Sequence, residues 1–170
     1  MKKFLILGAL LSSFASAHTS MLEHGGFMSG MAHPISGLDH ILAMIGVGIL
    51  AFFASKKGYL ALVGFMGAMV LAALIGKSGV TIPYVEEGIL LSIAVVFALI
   101  GYAKNISTGI IVAIVAFFGA FHGYAHGAEF TVGNFALYML GFSLSTLALH
   151  LTGMVGAYLY SKKAQVATAN

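Results

Sequence analysis

Five apolar stretches, 37–55, 59–76, 87–103, 108–126 and 131–160, alternate along the chain with short polar connections carrying Gly, Ser, Pro, Asn or charged side chains. Each is long enough to cross a hydrocarbon core of ~30 Å as an α-helix. The pattern predicts an all-α fold, a polytopic membrane bundle of five helices, with a sixth short span left open. The last stretch exceeds the length of one crossing, which predicts tilt or a break near residues 153–156. Gly64, Ala68, Ala72 and Gly76 stand four apart on one helical face, a stripe that fits close helix packing.

Composition agrees with the pattern. Hydrophobic residues make up 60% of the 170 and charged ones only 8%, with a mean hydropathy of +1.02, which marks an integral membrane protein. Cysteine is absent, so disulfides, thiolate metal sites and thiol redox chemistry are excluded. Any metal must be held by nitrogen, oxygen or thioether. Residues 1–17, MKKFLILGALLSSFASA, carry two lysines, an apolar run and a small-x-small ending, the plan of a signal peptide cleaved after Ala17. An uncleaved first anchor is the alternative. The net charge of +3 includes Lys2 and Lys3, so little positive charge remains after cleavage and no nucleic-acid footprint is expected.

Export of the new N-terminus places Lys56, Lys57, Lys104, Lys162 and Lys163 on the cytoplasmic side and leaves only Lys77 outside, with Glu86 and Glu87. Five spans therefore satisfy the positive-inside rule. The expected organisation is a signal peptide at 1–17, an exported segment at 18–36, a transmembrane domain at 37–161 and a cytoplasmic tail at 162–170. The expected location is the bacterial inner membrane with a periplasmic N-terminus.

On this topology the ionisable groups gather at the outer level. His33, Asp39 and His40 fall at the start of the first span, and His122, His126 and Glu129 at the end of the fourth. Charged groups in spans are costly, so such a cluster points to metal or proton handling. Pro34 suits the first position of a helix, which makes His33 its cap residue and places His33 and His40 on one face. Asp39 then either ligates beside His40 or orients its imidazole. His122, His126 and Glu129 at i, i+4 and i+7 share one stripe, although Gly123 and Gly127 are expected to loosen that helix. Met44 continues the face of His40 inward. Ser143, Thr146 and His150 give the last span a milder polar face, suited either to helix contacts or to an ion route below the outer site. Glu86 and Glu87 fit a helix N-terminus, and His18, Glu23 and His24 fit either a solvated tail or a metal-gathering arm. Neither an HEXXH motif nor a phosphate-cradling loop is present, so zincin proteolysis and ATP-driven pumping have no residues to carry them.

HPISGLDHILAMIGVG together with FFGAFHGYAHGAE closely resembles the paired signatures of the HupE/UreJ proteins, small bacterial membrane permeases associated with nickel supply to hydrogenase and urease. The first motif is also similar to the histidine and aspartate signature of the larger nickel and cobalt permeases. The resemblance implies that His33, Asp39, His40, His122, His126 and Glu129 handle Ni²⁺ or Co²⁺ as a transported ion, with no permanently bound cofactor and no enzymatic activity. It further implies cytoplasmic nickel chaperones or metalloenzyme maturation proteins as indirect partners, while a homo-oligomer stays open. Two other readings of the same residues are a membrane-embedded zinc hydrolase acting on a lipid amide or ester, and a haem-binding electron carrier.

Overall fold

The computed structural model describes residues 25–169, so the expected signal peptide and His18, Glu23 and His24 lie outside the described residues. Six α-helices follow in order: α1 (Phe27–Ser36), α2 (Leu38–Ala54), α3 (Tyr59–Lys77), α4 (Val85–Tyr102), α5 (Thr108–Glu129) and α6 (Phe135–Ala169). A short 3-10 turn, Ala103–Asn105, connects α4 to α5. The helices α3 to α6 are each long and apolar enough to cross a membrane, and α1 with α2 count as a fifth span when taken as one bent pair. The chain is an all-helical, multi-pass membrane protein, and its lipid-side faces carry exposed Val63, Leu71 and Leu74 on α3 and Leu140, Leu144 and Leu151 on α6.

The bent pair corrects the expectation at its start. Residues 27–36, expected in an exported segment, form a helix, and Pro34 lies in its last turn rather than its first, so His33 is not a cap. Proline has no N–H for the carbonyl four residues back, which weakens that turn. Gly37 follows in an extended conformation (φ −112°, ψ 129°), and α2 leaves at 86° to α1. His33 and His40 therefore do not share a helical face; the bend itself folds them together.

The other two expected irregularities are absent, and the glycines behind them have a different role. α6 runs unbroken through Gly153 and Gly156. A Cβ at Gly153 would collide with the Ile45 carbonyl of α2, and one at Gly48 of α2 with the His150 carbonyl of α6. α5 likewise stays helical through Gly123 and Gly127 to Glu129. There Gly119, Gly123 and Gly127 lie against the backbone of Phe65, Met69 and Ala73 in α3, while Gly76 of the expected small-residue stripe lies against Tyr124. Helices without a hydrophobic drive between them associate through such small-residue contacts. α3 and α5 form the most extensive helix pair, while α6 packs along both α1 and α2. The core enclosed by these faces includes Met44, Leu50, Phe65, Met69, Ile111 and Phe142.

The end of the bundle that carries the α3–α4 and α5–α6 connections is tied down by side chains as well. Tyr124 on α5 donates its hydroxyl hydrogen to the Val80 carbonyl and accepts from the Ile82 N–H at 2.9 Å, which fixes the α3–α4 connection. Lys77 sits 4.3 Å above the Phe135 ring, and Asn134 accepts from the Leu137 N–H at the start of α6. Residue 25 pairs with Gly133, whose positive φ of 110° suits glycine.

Candidate metal centre

Three imidazoles converge where the α1–α2 bend meets the end of α5. His33 comes from the last turn of α1, His40 from the first turn of α2 and His126 from the last turn of α5. One ring nitrogen of each lies within 4.8 Å of the others. His40 Nε2 and His126 Nε2 are 2.8 Å apart, and the ring of His33 stands 4.6 Å from that of His126 and 5.9 Å from that of His40. Two nitrogens bound at ~2.1 Å to one cation stand ~3 Å apart when cis in a square or octahedral field. The His40–His126 spacing is thus close to that of a shared first-row metal ion.

The outward nitrogens of two rings face carboxylates. His40 Nδ1 lies 3.1 Å from Asp39 Oδ1, and His126 Nδ1 lies 3.7 Å from Glu129 Oε2. Of the two roles open to Asp39, this arrangement matches the orienting one. Asp39 is buried, and it occupies the first turn of α2, where the helix dipole favours negative charge. Glu129 is partly exposed.

Two neutral imidazoles carry two protons, enough for one between the Nε2 atoms and one on His40 Nδ1 toward Asp39, and a cation can take the place of the first. With a metal ion there, both Nε2 lone pairs are used, both Nδ1–H groups point at carboxylates, and the carboxylates offset the ion's charge.

His122 lies one turn along α5 from His126, its ring 5.4 Å from His40. Its Nε2 is 3.1 Å from Ser92 Oγ, whose own hydrogen goes to the Ile89 carbonyl, so His122 is the donor in that pair. It stands beside the three-nitrogen cluster rather than within it. Met44 is fully buried one turn along α2 from His40. Tyr138 and Phe142 of α6 wall the centre, with Phe142 4.3 Å from His126 and 5.9 Å from His33. Thr146 and His150 are fully buried further along α6, and Ser143 is half-buried. Glu86 and Glu87 occupy the exposed first turn of α4.

Ser92, Phe65 and Phe142 were not among the expected site residues. A lone hydroxyl in the apolar run of α4 was the available signal for Ser92. Nothing in the sequence separates the two phenylalanines from ordinary core.

Comparison with known proteins places the chain. The family model for the HupE / UreJ protein matches residues 5–170. Protein HupE of Rhizobium leguminosarum bv. viciae is 36% identical over 162 residues, covering 92% of this chain and 83% of that protein. No solved structure matches the chain. The match spans both histidine motifs and every described helix, and the chain belongs to the HupE/UreJ family, a family of metal transporters rather than enzymes.

Proposed function

We propose that this protein carries Ni²⁺, and Co²⁺ as a second substrate, from the periplasm to the cytoplasm of a bacterium. The observation that carries the reading is the convergence of His33, His40 and His126 nitrogens within 4.8 Å, with a carboxylate behind two of the rings. Imidazole suits borderline divalent ions such as nickel and cobalt, and a site built without thiolates releases its ion more readily than a cysteine cage. The break between α1 and α2 supports the same reading, because discontinuous helices recur where membrane proteins bind ions.

In this mechanism His40 and His126 replace water around the incoming ion through Nε2, with His33 as third ligand. Asp39 and Glu129 hold the rings in the binding tautomer. His122 stands at the inward side of the capture centre. The lysines gathered at the opposite end of the bundle orient the protein with its histidine centre outward, after removal of residues 1–17. The membrane potential, worth ~2.3 kcal/mol per charge per 100 mV, and cytoplasmic capture by nickel chaperones or maturation proteins of hydrogenase or urease drive entry. The family assignment removes the ground for the zinc hydrolase reading.

The test is radioactive nickel uptake at submicromolar Ni²⁺ in cells lacking their own importer. Cells with the parent protein accumulate nickel above the empty vector, and His40→Ala or His126→Ala at equal membrane level lowers uptake at least about tenfold, as expected when a principal ligand is lost. Absence of uptake by the inserted parent protein, for nickel and for cobalt, overturns the reading.

A further inference from the structure

Below the three-histidine centre the bundle holds polar groups that the outer site leaves unused. Thr146 and His150, four residues apart on α6, are fully buried. Neither the Thr146 hydroxyl oxygen nor either ring nitrogen of His150 has a hydrogen-bond partner among the described residues. Buried polar groups in membrane helices ordinarily find partners, and leaving both nitrogens of one imidazole unpaired costs stability. His122 adds a fourth such atom, because donation from Nε2 to Ser92 leaves its buried Nδ1 lone pair without a partner among the same residues.

These groups form a descending series. Phe142 walls the outer centre, and a rise of ~1.5 Å per residue places Thr146 ~6 Å and His150 ~12 Å further along α6. The rings step inward at near-constant spacing: His40 to His122 is 5.4 Å, His122 to Phe65 is 5.5 Å, and Phe65 to His150 is 5.3 Å. Gly48 lets α2 seat directly on the His150 backbone, which fixes the height of that imidazole in the bundle.

We propose that His150 and Thr146 form a second, inner binding station for the divalent cation, reached from the outer centre past His122. The proposal rests on the permease reading and names where the ion rests next. With one imidazole and one hydroxyl instead of three imidazoles, the station binds more weakly than the capture centre. Descending affinity along the route lets an ion that has shed its water move on rather than stay. The ring of Phe65 lies between the upper and lower imidazoles, so passage requires it to shift.

The experiment compares full-length parent protein with His150→Leu and Thr146→Val in the nickel uptake assay, together with melting temperature and Ni²⁺ stoichiometry of the purified proteins in detergent. Leucine removes two unpartnered nitrogens from an apolar setting, so His150→Leu melts at or above the parental temperature while uptake falls at least about tenfold. It also binds one Ni²⁺ fewer than the parent and keeps the affinity of the outer centre. Thr146→Val lowers uptake severalfold. Uptake by His150→Leu within about twofold of parental overturns the station. If His150→Leu does not reach the membrane, His150→Asn takes its place, and parental uptake by both it and Thr146→Val overturns the proposal. A parent protein that imports nothing overturns the permease reading; loss of one bound ion in His150→Leu then still supports the inner station, and unchanged stoichiometry overturns it.

Discussion

Asp39 shows how one buried carboxylate sets the behaviour of its neighbour. Its oxygen lies 3.1 Å from His40 Nδ1, so the ring proton is held on the outward side and the Nε2 lone pair is left for the centre. Asp39→Asn keeps the size of the side chain but removes the charge, and the amide can equally present its NH₂ group to Nδ1. The expected result is a loss of about 10- to 100-fold in Ni²⁺ affinity, the usual consequence of removing a partner behind a ligating histidine. Calorimetric titration of the purified variant measures it, and parental affinity would show that His40 holds its tautomer without the carboxylate. Glu129→Gln should cost less than Asp39→Asn in the same titration. Glu129 is partly exposed and stands at 3.7 Å, where water screens the pair.

At the scale of elements, glycine contacts decide how closely the helices approach and so where the histidines meet. Gly123 lies between His122 and His126 in sequence and against the Met69 backbone of α3 in space. Gly123→Ala forces α3 and α5 apart, with a stability loss of ~1–3 kcal/mol typical of overpacking. Thermal unfolding in detergent should register it, accompanied by weaker Ni²⁺ binding because His126 moves with α5. Gly67→Ala, on α3 with open space around it, should leave both unchanged. These contacts also explain which parts of the fold could be read from residue order. Span positions follow from apolar length, and all five expected stretches correspond to helices. The bend at Gly37 could not be read, because Pro34 satisfies the rule for a helix start as well as that for a weakened end. Gly123, Gly127, Gly153 and Gly156 were misleading in isolation: glycine lowers helix propensity, and only the neighbouring backbone reveals that some of these sites are packing contacts. His33, His40 and His126 were legible as chemistry from their spacing. Their convergence depends on an 86° turn and on a helix more than eighty residues away, which no local pattern encodes.

The whole molecule places imidazoles and carboxylates at one end of the bundle and most of its lysines at the other, with residues 56, 57, 104, 162 and 163 on the lysine side. For an ion carrying two charges, a potential of 100 mV supplies ~4.6 kcal/mol, enough to hold a concentration ratio on the order of a thousandfold without ATP. A carrier driven only in this way obeys the potential in both size and sign. In proteoliposomes containing the purified protein and an enclosed Ni²⁺-sensitive dye, a potassium diffusion potential negative inside should produce accumulation well beyond equality with the outer solution. With no potential the ion should only equilibrate, and reversing the gradient should keep the inner concentration below the outer. Because the protein inserts in both orientations, selecting the population with its histidine centre outward, by blocking the other with an impermeant histidine reagent inside, isolates the imported flux. Accumulation that ignores the potential but follows an imposed pH gradient would instead mean that protons exchange for the metal at the same imidazoles, each of which must be free of its proton to bind.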